Sequence, residues 1–224
     1  MSIKKTKYLL LIFLSVFFST NAQNENEEII LNRAEHLFPL DGILNSYDFQ
    51  FEYYSDLRKS LLKGLSDSPK IQYLSTPSFS TEYVLHINDS IATYRKAINN
   101  IWYSKNTDST NIEKYKSPIN KESIELLQNL YRKAIKKTKY QIIEPENSNN
   151  LISGNDGTTY LFSVYNFGIK SGKTWSPKEG TKLFDLVQIN EEIIEKIKIS
   201  KGKPIKINGR LKRKIHKLIE YFSE

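Results

Sequence analysis

The 224-residue chain contains no cysteine. That excludes a disulfide scaffold, a thiol nucleophile and a thiolate metal centre. It also excludes a lipoprotein, whose acyl chain needs a cysteine at the cleavage point. Histidine is scarce. His36, His86 and His216 lie on three distant segments with no HxxxH, HxH or HExxH spacing. The sequence therefore nominates no metal site, no cofactor and no catalytic residue. After residue 22 no apolar run approaches the roughly 20 residues that cross a bilayer. Internal repeats are absent. Acidic residues are missing from one long stretch, Lys196 to Lys217, which holds ten basic side chains.

What is present begins with an address. Lys4, Lys5 and Lys7 precede an 11-residue run, Tyr8 to Phe18, of apolar or small residues, and Ser19-Thr20-Asn21-Ala22 closes it. Basic, apolar and small residues in that order form a secretory signal peptide, with cleavage expected after Ala22. The run is too short for a stable anchor. Residues 1–22 are thus read as a removed leader and 23–224 as one mature domain of 202 residues, long enough to bury a core without staples. The expected location is the periplasm or the exterior of a bacterial cell. The mature chain carries 30 basic against 25 acidic side chains, a net +5. Without the basic stretch it would be mildly acidic, and such asymmetry bears on partners.

Helical periodicity is read over residues 24–38, 55–65, 121–139, 181–199 and 208–222. The 121–139 stripe is Ile124, Leu127, Tyr131, Ala134, Ile135 and Thr138, with Glu122 and Glu125 early and Lys136, Lys137 and Lys139 late, as the helix dipole favours. Asn190 marks a possible restart within 181–199. Strands are read at 71–74, 81–87 and 158–164, with a return strand through Thr174 and Trp175. The segment 91–103 reads as a strand after the Asn88-Asp89 turn signal, although Ile91, Tyr94, Ile98 and Ile101 also fit a helix. Residues 75–80, 104–120 and 144–156 read as turn or loop. The expected fold class is α+β: a small antiparallel sheet built from hairpins, packed against several amphipathic helices.

Several constellations are tested against plainer readings. Gly168-Ile-Lys-Ser-Gly172-Lys173-Thr174 resembles a phosphate loop but has three residues between its glycines, and Trp175-Ser176-Pro177 follows where a helix is required. A hairpin turn near Gly168 to Gly172 fits better. Asp41, Asp48, Glu52 and Asp56 read as a solvated connection, and Asn155-Asp156-Gly157 as a turn. Trp102, Tyr160 and Trp175 lie on or beside strands and are candidate ligand-contact residues, since flat aromatic faces can stack on sugars or peptides. Ordinary packing explains them as well. His86 falls on the more polar strand face and reads as solvated or as a satisfied hydrogen-bond partner.

The C-terminal segment 208–222 separates cleanly into two arcs. Leu211, Ile215, Leu218 and Phe222 form the apolar one, while Arg210, Arg213, Lys214 and Lys217 oppose it as candidate anion contacts. They are equally the solvated face of a docked helix. The expected function is a non-catalytic binding or interaction module of the periplasm or cell envelope, its partner a protein or envelope component with weak anionic-surface contact. Nucleic acid does not suit an exported protein. The alternative is a small secreted hydrolase acting on an extracellular polymer through a carboxylate pair.

Overall fold

The computed structural model describes residues 35–40, 51–104, 111–138, 157–165 and 167–224. The expected leader, residues 24–34 of the first expected helix, Asp41, Asp48, Asn155 and Asp156 lie outside them, and residues 35–38 are not helical. The described residues form seven strands: β1 (Phe38–Pro39), β2 (Ile71–Pro77), β3 (Tyr83–Asn88), β4 (Ile91–Ala97), β5 (Ile112–Pro118), β6 (Thr158–Tyr165) and β7 (Ile169–Trp175). Four helices accompany them: α1 (Phe51–Lys59), α2 (Lys121–Lys136), α3 (Lys182–Ser200) and α4 (Gly209–Tyr221).

The fold is α+β, but the expectation of a small sheet is wrong. All seven strands join one antiparallel sheet, in the order β1-β7-β6-β2-β3-β4-β5, and the sheet dominates the architecture. The β2 to β5 meander and the β6–β7 hairpin are fused because β2 pairs with both β3 and β6. Two strands escape the pattern search. β5 falls inside the expected 104–120 loop, and its central residues Glu113 to Lys116 are exposed. It is an edge strand without apolar alternation, and edge lysines discourage further pairing. β1 has only two residues and follows directly where a helix through Phe38 was expected. β2 also continues through Ser75, Thr76 and Pro77, which read as turn.

Both sheet faces are covered, which explains why strand residues of either parity are buried. On one face α2, α3 and α4 enclose a core that includes Ile71, Tyr73, Leu85, Ile87, Phe162 and Val164. On the other, α1 and the turns after it pack Leu57 and Leu61 onto Leu74, Val84, Ala97, Ile101 and Leu161. Leu57 and Leu61 carry the stripe read over 55–65, although the helix itself runs from Phe51 and the chain past Lys59 continues as turns.

The helices begin where short polar side chains supply caps. Asn120, Thr181 and Asn208 accept from the backbone N–H of Ser123, Phe184 and Leu211 respectively, replacing a partner that the first turn lacks. Asn190 marks no restart. It is buried in mid-α3, where its Nδ2 donates to the Leu186 carbonyl at 2.9 Å and its Oδ1 accepts from the Tyr131 hydroxyl at 2.7 Å. That pair pins α3 to α2 through groups that would otherwise be costly to bury.

α4 docks against α2 and α3 through Leu211, Ile215, Leu218 and Phe222, all buried, with Arg210, Arg213, Lys214 and Lys217 exposed. Leu218 is 3 % exposed. Truncation by Leu218→Ala is expected to cost about 2–3 kcal/mol in urea unfolding, the loss usual for a leucine whose site collapses only partly. A change below about 0.5 kcal/mol would mean that α4 is not held by this arc.

The β6–β7 hairpin reverses through Phe167 and Gly168, whose φ values are 52° and 124°. Gly172 is not part of the turn. It lies within β7 opposite Phe162, and a Cβ there would meet Leu37 Cβ at 3.1 Å and Thr138 Cγ2 at 3.2 Å. The second glycine of the apparent phosphate-loop spacing is therefore set by close packing of β1 and α2 on the sheet.

Candidate functional site

The three aromatic candidates do not converge. Tyr160 faces α3, its ring stacked on Tyr73 with centroids 5.8 Å apart and planes 5° off parallel. Trp175 lies opposite Thr159, one position out of phase, so the pleat directs it to the other face. There its indole covers Gly157 so closely that a Cβ would collide with Cε2. Trp102 belongs to the turn after β4 and meets the Tyr53 ring edge-on at 4.8 Å. Each is seated by a local packing role, and no shared platform forms.

A different aromatic arrangement emerges from register. Tyr160, Tyr73, Tyr83, Tyr94 and Tyr115 come from β6, β2, β3, β4 and β5, five neighbouring strands, and successive rings lie 5.8–6.2 Å apart across the helix-covered face. Glu191 of α3 sits over the middle of this row. Its Oε1 accepts from the Tyr73 and Tyr83 hydroxyls, each at 2.6 Å. Burial, reinforced by neighbouring phenols and by the Glu191 carboxylate, pushes Tyr73 well above the ordinary phenol range, and burial with Glu191 does the same for Tyr83. Both phenols therefore stay protonated at neutral pH. They act as donors that bolt α3 to the sheet, and supply no phenolate nucleophile.

The second enclosed carboxylate is equally committed. Glu82, fully buried just before β3, accepts the Ile101 N–H at 2.8 and 3.1 Å, the Trp102 N–H at 3.3 Å and the Tyr53 hydroxyl at 3.0 Å. It ties α1, β3 and the turn after β4 into one unit. Of the acids between the expected first two helices, Glu52 and Asp56 lie on α1, where Asp56 is 3.7 Å from Lys59. Among the described residues, Glu82 and Glu191 thus serve as hydrogen-bond acceptors within the packed fold.

His86 is buried, contrary to its solvated reading, because α1 and its following turns cover the face that alternation marked as polar. The ring is 3 % exposed and Nδ1 finds no partner. Burial first, and Arg95 second, lower its pKa to about 4. Arg95 itself caps the end of the α1 region, its Nη1 donating to the carbonyls of Leu61 at 3.0 Å and Lys63 at 2.7 Å. Of the other histidines, His36 stacks on Tyr221 and His216 lies exposed on α4. Among the described residues no cluster of three His, Asp or Glu side chains is placed to hold a metal ion, and no helix is long and apolar enough to cross a membrane.

The basic surface is open to a ligand. Arg210, Arg213, Lys214 and Lys217 point outward from α4, whereas Lys212 is drawn aside to Glu122 at 2.6 Å. Next to the start of α4, the end of α3 and residues 201–206 enclose a groove of 390 Å³ with four lysines in its wall. Sequence inspection finds the charge but not the groove, which exists because the chain folds back on itself after Ser200. Compared with known proteins, the chain matches no family model, no curated protein and no solved structure.

Proposed function

We propose that this chain is an exported, non-catalytic binding module of the bacterial periplasm or cell envelope, and that it engages an anionic envelope component through its C-terminal basic surface. The observation that carries the reading is the division of labour on α4. Its apolar arc is consumed by docking, so Arg210, Arg213, Lys214 and Lys217 are held outward on a fixed support. Rigid display of like charges costs self-repulsion, which an anionic partner relieves. The leader-like order of residues 1–22 supplies the location.

The test is co-sedimentation of the secreted protein with native envelope membranes across a salt series. Binding is expected at low ionic strength and should weaken as added salt shortens the range of the attraction. Arg213→Glu with Lys217→Glu should reduce it about threefold at low salt, as for weak, screened surface charges, and leave the melting temperature within about 1 °C. A cytoplasmic protein that retains Met1, or envelope binding indifferent to both salt and charge reversal, would overturn the reading.

A further inference from the structure

We infer that the groove between the end of α3 and residues 201–206 is a seat for a phosphate group carried on an apolar tail, as in an anionic lipid headgroup. The inference rests on the envelope-binding reading and assigns its ligand class and location. Lys196, Lys201, Lys203 and Lys206 line the groove together with Ile199 and Pro204. The neighbouring acids are already spent: Glu195 holds Lys198 at 2.7 Å, and Glu192 lies 3.9 Å from Lys196. Among the described residues no carboxylate lies within ion-pair distance of Lys201, Lys203 or Lys206.

Favourable interaction with the C-terminal end of a helix accounts for Lys198 and Lys201. It does not account for Lys203 and Lys206, which lie beyond the cap, nor for Ile199, which is 74 % exposed in the midst of the cations. An exposed apolar side chain in one groove wall with three lysines that lack an ion-pair partner, Lys201, Lys203 and Lys206, matches a ligand with an anionic head and an apolar continuation.

The groove is also built. Lys201 takes a left-handed conformation, φ 51°, directly before Gly202 at φ 83°. A lysine there is costlier than a glycine would be. The reversal is then fastened at three points. Lys203 N–H donates to the Ser200 carbonyl at 3.0 Å, and Ile205 N–H donates to the Pro118 carbonyl at 2.9 Å. The Ser200 and Ser117 hydroxyls share a hydrogen bond. The lysines therefore spring from a backbone fixed to the sheet edge, so little order has to be gained on binding.

The experiment measures binding of the full chain to vesicles of phosphatidylglycerol mixed with phosphatidylcholine, against pure phosphatidylcholine vesicles. Binding is expected only to the anionic vesicles. Lys201→Glu with Lys203→Glu should weaken it at least about tenfold, given what each lysine contributes at an anionic surface. Ile199→Ser should weaken it several-fold, and Arg213→Glu with Lys217→Glu by no more than about threefold. Thermal melting keeps the comparison to folded variants. Unchanged binding by the groove double variant would overturn the inference. If the α4 variant alone abolished binding, the groove assignment would fail while envelope binding stood; absence of binding to native envelope membranes by the unaltered protein would instead defeat the broader reading. Inorganic phosphate serves as the tailless probe. It is expected not to displace the protein at concentrations equal to the lipid phosphate, and equal competition would assign the groove to free phosphate and overturn the role of Ile199.

Discussion

Replacing Glu82 by alanine is expected to remove roughly 4 kcal/mol of folding stability, since one buried and one part-buried backbone N–H and a phenol lose their acceptor and each orphaned donor costs about 1–3 kcal/mol. The side chain is fully buried and serves Ile101, Trp102 and Tyr53 at once. Ile101 is itself part of the core beneath α1, so loss of the carboxylate releases the turn that carries it. Glu82→Gln keeps one acceptor oxygen but sets an NH2 group among donors, and about 2 kcal/mol is expected, with the same per-donor cost. Tyr53→Phe removes one donor and leaves the backbone bonds, which limits its effect to about 1 kcal/mol. Urea unfolding of the three variants checks the series. Equal losses for all three, or less than 1 kcal/mol for the alanine variant, would contradict the shared-acceptor account.

His86 is expected to make the fold acid-sensitive. Its pKa lies at about 4 in the folded chain, against 6.5 for an exposed imidazole. Between those values the unfolded chain binds the proton and the folded chain does not, so stability falls as pH drops from 6.5 to 4 and levels off below. The gap corresponds to on the order of 3 kcal/mol. Burial is the main cause and the Arg95 guanidinium on neighbouring β4 the second. Unprotonated His86 is therefore the form the fold accepts. His86→Gln should be less stable than the parent at pH 7 and flatter between pH 6.5 and 4. The difference between the two profiles isolates the imidazole from carboxylates titrating in both. Parallel profiles for the two proteins would remove His86 as the sensor.

The helices were the legible part of the fold, for a physical reason. Helical spacing, dipole-matched charge and a capping side chain are all local, and 121–139 and 208–222 carry the first and last of these together. The sheet was harder because its evidence is spread over distant segments. β5 carries charge on an edge and so lacks alternation. Reading His86 as solvated assumed one wet face, and the α1 region covers it. Gly172 looked like turn chemistry and proved to be a packing requirement visible only once Leu37 and Thr138 were in place. The tyrosine row could not be assembled beforehand, since each tyrosine occupies an ordinary strand position and only register aligns them. At the candidate site, the outward cations of α4 followed from its wheel. The groove did not, because it depends on the backbone reversal after Ser200.

The place of β2 governs the order in which the molecule can be assembled. On one side β2 pairs with β3, reached through a short turn; on the other it pairs with β6, so that Thr76 meets Thr159, 83 positions along the chain. Closing so long a loop adds little to the final free energy, because the entropy grows only with the logarithm of length, but it slows the event. A chain emerging from its amino end completes the β2 to β5 meander long before residue 158 exists to join it. Through that interval the strand that ends up central is a bare edge, with hydrophobic Ile71, Tyr73 and Leu74 unprotected by β6. For this protein, the vulnerable moment belongs to synthesis, when half of the sheet is waiting for the other half.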